Sequence, residues 1–137
     1  WESFKWSSLG YSCVDRNLTF NDSESLWVIK NDSVSIKSTY SDSQSVTINC
    51  SFNSNPHSVS FVYAFNMYIK RLSLWINIMD ISENMINSWM LIGDINTVLK
   101  PEEKTGQHFC RTSAQYLYTF IDKCGLLELP ISGPEFN

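Results

Sequence analysis

Between residues 45 and 93 the hydrophobic period changes twice, and that change limits the fold more than any other feature of the chain. In SVTINCSF (45–52), Val46, Ile48, Cys50 and Phe52 alternate with polar residues, the period of a strand with one buried face. NSNPH (53–57) is a turn cluster. SVSFVYAF (58–65) resumes as a strand, nearly continuous in apolar character toward its end, as expected of one buried on both faces. Leu72, Trp75, Ile76 and Met79 then fall at i, i+3, i+4 and i+7, with Lys70, Arg71 and Asn77 off that stripe, which predicts an amphipathic helix over 67–80. Residues 88–93 return to strand. Strands followed by helix and strand fit a mixed α/β or α+β domain in which helices cover a sheet.

The flanks extend the pattern. LWVIK (26–30) is a short apolar β-type run, and Val34 and Ile36 alternate with Ser33, Ser35 and Lys37 as a half-buried strand. Such short spacing implies an antiparallel meander. Residues 94–108 read as a polar loop. Leu117, Phe120, Ile121 and Cys124 mark a second helix, stopped by Gly125 at C′. LLELPI (126–131) reads as a last strand with Pro130 near its edge. With 137 residues and 43% hydrophobic content, the chain is sized for one domain, 1–137.

Bulk charge narrows the function classes. The net charge is −4 and there is no Lys/Arg run, so nothing in the overall balance favours nucleic-acid binding, although a small basic patch can sit on an acidic protein. No apolar run approaches the roughly 20 residues of a membrane span. WESFKWSSLGY, at the start, has neither an initiator Met nor the apolar stretch of a signal peptide, so the chain is expected to be a fragment or a trimmed product. Cys13, Cys50, Cys110 and Cys124 form no C-x-x-C pair, which argues against zinc. Sequons at Asn17, Asn21, Asn31 and Asn49, with an even cysteine count, keep a secreted, disulfide-linked domain as an alternative; free buried thiols are the plainer expectation.

Several residues can carry chemistry. In GDIN, Asp94 and Asn96 project to one side if the chain stays extended, with Ile95 pointing into the core. A carboxylate at a strand exit can deprotonate a water or bind a cation, and a neighbouring carboxamide can hold the water or a phosphate oxygen. The same residues are also turn formers. Tyr63, near a strand end, can donate to a phosphate oxygen, or be a core tyrosine with a wet hydroxyl. Asn66 follows it. Arg71, at the start of the helix, can contact a phosphate, or be a solvated helix-face arginine. His57 and His108 lie in polar, turn-like segments away from metal spacing and read as surface residues. PEEK (101–104) reads as solvated surface, and Met67, Met79, Met85 and Met90 as core filler.

SWMLIGDINTVLKPEEKTG, followed by FIDKCGLLELPISGPEF, resembles the endonuclease/exonuclease/phosphatase (DNase I-like) superfamily, and more closely the endonuclease region of plant LINE-type (non-LTR) retroelements. That region has the pattern W-x-x-x-GDFN-x-x-L-x-x-x-EK-x-G, then C-G-L-x-D-L, then G-x-x-FTW. Trp89, Gly93-Asp94-Ile95-Asn96, Leu99, Glu103-Lys104, Gly106, Cys124-Gly125-Leu126, Leu129, Gly133 and Phe136 stand in the matching places. VYAFN with Arg71, Leu74 and Trp75 is similar to the family's V-Y-A…R…LW segment, and SLWVIKNDSVSI to its GG-[IL]-W-x-x-W stretch. The likeness is strong over 88–136 and weak before residue 25.

The resemblance implies a two-sheet β-sandwich with flanking helices, Mg²⁺-dependent hydrolysis of DNA phosphodiesters, and an intracellular location, the nucleus included. By position, Asp94 corresponds to the aspartate that activates or positions the attacking water. Asn96 corresponds to the asparagine that orients water and phosphate, Tyr63 to the phosphate-contacting tyrosine, and Asn66 to a DNA-contacting asparagine. The chain departs from the pattern at Ile95, where the family has Phe, and at Ser23-Glu24-Ser25, where it has glycines. The family's metal-binding Glu is expected before Trp1, and its closing S-D-H, with the acid/base His, after Asn137; neither His57 nor His108 takes that place. The chain therefore reads as a truncated domain, inactive alone, with a non-catalytic nucleic-acid- or protein-binding remnant as the alternative.

Overall fold

The computed structural model describes residues 9–18, 24–103 and 109–129. They form an α+β arrangement of two sheets, one of two strands and one of four, with two helices. The chain divides into two compact units, Trp1–Thr97 and Val98–Asn137.

In the first unit, β1 (Tyr11–Leu18) and β2 (Glu24–Asn31) make an antiparallel ladder. Strand β1 has no counterpart in the hydrophobic pattern, because Asp15-Arg16-Asn17 interrupts it. The Asn31 side chain accepts the Ser33 N–H at 3.1 Å, and this Asx turn hands the chain from one sheet to the other. There, β3 (Val34–Ser41), β4 (Ser45–Phe52) and β5 (Asn55–Tyr63) form the expected antiparallel meander. Asn53 and Ser54, both with φ > 0, make a two-residue turn between β4 and β5, tighter than the expected NSNPH cluster. Helix α1 (Tyr68–Glu83) then crosses to β6 (Ser88–Asp94), which pairs parallel to β5. A parallel neighbour needs such a crossover, which explains the change of period.

The two sheets pack face to face. Val28 of β2 and Val46, Ile48 and Cys50 of β4 are buried there, with Val14, Leu26, Val34, Ile36, Val59 and Phe61 packed against them. Each fully buried Val or Ile contributes on the order of 1.5–3 kcal/mol. Phe52, expected on the same face, lies exposed at the turn end of β4. The other face of the four-stranded sheet carries a polar network beside Val62, Trp89 and Leu91. Thr47 and Ser60 share a hydrogen bond of 2.8 Å, and Trp89 Nε1 donates to Ser60 Oγ at 2.9 Å. Ser58 donates to Asn49 Oδ1, which in turn donates through Nδ2 to Ser38. These cross-strand bonds offset the cost of removing hydroxyls from water. Strand β5 packs on both faces as expected, but one of them is largely polar: buried Ser58, Ser60 and Val62 alternate with Val59 and Phe61, which pack on the inter-sheet core.

Helix α1 buries Arg71, Leu74, Trp75 and Ile78, a face rotated from the expected stripe; Ile76 is 55% exposed. Apolar residues cover more than half of the helix surface, with Leu74 and Ile78 beside the expected stripe, so spacing alone does not choose its inner face. Met67 and Met90 are exposed and Met79 and Met85 half-buried, so none of the four methionines fills a core.

In the second unit, α2 (Arg111–Cys124) buries Ala114, Leu117 and Phe120. Gly125 takes the left-handed conformation (φ 60°), and the Leu126 N–H reaches back to the Ile121 carbonyl at 3.0 Å, closing the helix as expected. Residues 126–129 form no strand, and 130–131 lie outside the described residues. So do Lys104, Gly106 and His108 of the expected polar loop, and Gly133 and Phe136.

Candidate functional site

Because β5 and β6 run parallel, their C-terminal ends lie side by side. Tyr63 and Asp94 are the last residue pair of that ladder, in register, and so share one face of the sheet. Tyr63 is 47% exposed and Asp94 is exposed. One further bond, from Ala64 N–H to the Asp94 carbonyl at 2.8 Å, holds the two exits together.

The chain does not stay extended after Asp94. Asn96 takes φ 49°, its N–H donates to Asp94 Oδ1 at 2.9 Å, and its Nδ2 donates to the Ala64 carbonyl at 2.5 Å. The turn-forming reading of GDIN thus describes the local geometry. The carboxamide staples the exit of β6 to the exit of β5, and the expected parallel projection of Asp94 and Asn96 is replaced by an Asx turn. Gly93 makes the approach possible: its φ is 142°, and a Cβ there would lie 1.9 Å from the Val62 carbonyl oxygen.

Two buried side chains hold the segment that follows Tyr63. Gln44 accepts the Phe65 N–H at 2.8 Å through Oε1 and donates from Nε2 to the Lys70 carbonyl at 3.0 Å, while its own carbonyl accepts the Tyr63 N–H at 2.8 Å. Arg71, only 3% exposed, donates from Nη1 to the carbonyls of Phe65 at 2.6 Å and Asn66 at 2.8 Å. Arg71 is therefore a correction: it is neither a solvated helix-face residue nor turned outward to a phosphate, but a clamp on two backbone carbonyls. Asn66 is exposed on the clamped segment. Asp42 supports Gln44 from below, accepting the N–H groups of Gln44 and Ser45 and a bond from Asn77 Nδ2.

Gln44 escaped sequence reasoning because its partners are backbone groups far along the chain. Lys70 escaped too: its Nζ stands 5.8 Å from the Phe65 ring centroid, placing a cation beside this corner.

Among the described residues no histidine joins it. His57 sits at the start of β5, six residues before Tyr63, a span of roughly 20 Å along a strand. Mg²⁺ asks for near-octahedral oxygen ligands. Asp94 supplies one carboxylate, with one oxygen already accepting a backbone N–H, and among the described residues no three His, Cys, Asp or Glu come together. Mg²⁺ keeps several waters and is commonly held by one or two carboxylates, and among the described residues of this corner Asp94 is the carboxylate that would ligate it.

All four cysteines are thiols: Cys13 and Cys110 are exposed, Cys124 is half-buried and Cys50 buried. Burial pushes the Cys50 thiol up. A groove of about 670 Å³ lies away from the corner, lined by Lys37, Tyr40, Asn49, Asn77, Asp80 and Asn84 among others. Among the described residues no helix is long and apolar enough to cross a membrane. No protein-family model and no curated protein matches the sequence.

Proposed function

We propose that the chain is part of a DNase I-like phosphodiesterase domain of retroelement type, in which the Tyr63–Asp94–Asn96 corner contacts DNA phosphates without cleaving them. The observation that carries this reading is the in-register pairing of Tyr63 and Asp94 at the shared exit of two parallel strands. Two residues singled out separately by resemblance meet on one exposed edge of the sheet, where α/β sheets commonly bind ligands.

In this reading the Tyr63 hydroxyl donates to a phosphate oxygen. Asp94, through the oxygen not held by Asn96, accepts from a water. The Asn96 amide keeps both strand exits in place. Lys70 supplies attraction, and Asn66 adds a hydrogen bond from the clamped segment. Hydrolysis would further require a proton donor for the leaving oxygen and charge neutralisation at the phosphate; His57 stands too far away for the first. A plasmid-nicking assay with added Mg²⁺ tests the inactivity. No nicking is expected; nicking that Asp94→Ala abolishes would overturn it.

A further inference from the structure

Strand β6 ends the four-stranded sheet, so one side of its backbone has no neighbouring strand among the described residues. Sheet edges are usually blunted by lysine, proline, a bulge or an inward charge. The opposite edge, β3, has such protection: its register breaks between Ile36 and Ser38, with Lys37 at the break. Strand β6 has none. SWMLIGD contains no Lys or Pro, its register with β5 is unbroken, and its only charge is the terminal Asp94. On the face turned toward the two-stranded sheet, Met90 is 41% and Ile92 49% exposed.

We propose that β6 is the docking edge for a second copy of this chain, pairing β6 with β6 antiparallel about a two-fold axis through Leu91. The strand is self-complementary in that register. Leu91 meets Leu91, Met90 meets Ile92, Trp89 meets Gly93, and Ser88 meets Asp94. Each opposition has a physical basis. Met90 and Ile92 of both copies merge into one apolar patch. The indole of Trp89, on the other face, lies across from a residue with no side chain. The Ser88 hydroxyl donates to the Asp94 carboxylate. Sliding by one step while keeping the same faces together sets Asp94 against either Ile86 or Met90, leaving a carboxylate opposite an apolar side chain. The two-fold arrangement uses the same patch on both copies and closes on itself. The bulged β3 edge gives the four-stranded sheet no second docking edge, so pairing through this sheet stops at a dimer. Nothing in this inference depends on the nuclease reading.

Sedimentation velocity of the full chain, without nucleic acid, across a wide concentration range tests it. A species of twice the monomer mass is expected. Met90→Lys/Ile92→Lys sets like charges opposite each other and weakens dimerisation on the order of tenfold or more. Met90→Lys/Ile92→Glu sets opposite charges in the same register and retains the dimer. Both positions are about half exposed, so both variants keep the melting behaviour of a folded chain. A wild-type chain that stays monomeric overturns the proposal, as do two double variants that dimerise equally, or open species that grow with concentration.

Discussion

Gly93→Ala puts the packing of the corner to a direct test. The added Cβ would lie 1.9 Å from the Val62 carbonyl oxygen and 2.8 Å from the Val62 carbonyl carbon and nitrogen. Ordinary contacts of this kind lie near about 3.5 Å, so β5 and β6 must part by on the order of 1.5 Å. Such overpacking costs about 1–3 kcal/mol. Holding an L-residue at φ 142° adds a further penalty of about 1–3 kcal/mol. The sum, about 2–6 kcal/mol, is a large share of the roughly 5–15 kcal/mol that holds a domain together. It corresponds to a fall in Tm on the order of 10 °C or more. Urea denaturation gives the stability change, and amide exchange at Ala64 gives its location, since the Ala64 N–H bond to the Asp94 carbonyl is the first to open. A loss below about 1 kcal/mol with unchanged Ala64 protection would refute the close approach of Gly93 to Val62.

The supporting side chains make separate expectations. Gln44→Met keeps an unbranched side chain but leaves the half-buried Phe65 N–H without its side-chain acceptor, costing about 1–3 kcal/mol, and exchange at Phe65 speeds up; unchanged exchange there would rule out the clamp. Arg71→Met removes the nitrogen that donates to both carbonyls, so stability falls by about 1–3 kcal/mol while the salt dependence of DNA binding is unchanged; a flatter salt slope would mark Arg71 as a phosphate ligand instead. Burial raises the Cys50 pKa, so the folded state keeps a thiol proton that the unfolded chain releases first. That contribution to stability is fully present below the ordinary thiol value of 9.0 and is lost as pH rises above it, a dependence that Cys50→Ala removes in denaturation measured across that range. A thiol reagent at neutral pH labels Cys13 and Cys110 ahead of Cys50, and equal labelling rates would contradict its burial.

The legible parts of the fold were those where one face alone carries the apolar residues. Val46, Ile48 and Cys50 alternate, and β4 is a strand with that face buried. Gly125 follows a clear stripe and ends α2. Helix α1 was legible as a helix but not in its orientation, because Leu72, Ile76 and Met79 compete with Leu74 and Ile78 for the inner face. Strand β1 was illegible because Asp15, Arg16 and Asn17 disfavour strand locally, and pairing with β2 overrides them. Of the candidate site, Tyr63 and Asp94 were legible one at a time. Their meeting needs the parallel register of β5 and β6, and local spacing says nothing of that. The clamps by Gln44 and Arg71 were beyond reach for a related reason: a side chain that binds remote backbone carbonyls leaves no periodic trace.

Chemical-shift mapping of the protein against a short DNA duplex, at low salt with EDTA present, tests the central claim most directly. The account predicts shifts centred on Tyr63, Ala64, Asn66 and Asn96, weakened by Tyr63→Phe. It also fixes the sign for Asp94→Asn. Removing one negative charge about 5 Å from a phosphate relieves a repulsion of roughly 1 kcal/mol in water, so that variant binds a few-fold more tightly. Shifts confined to the groove beside Tyr40 and Asn77, or binding indifferent to both substitutions, would contradict it.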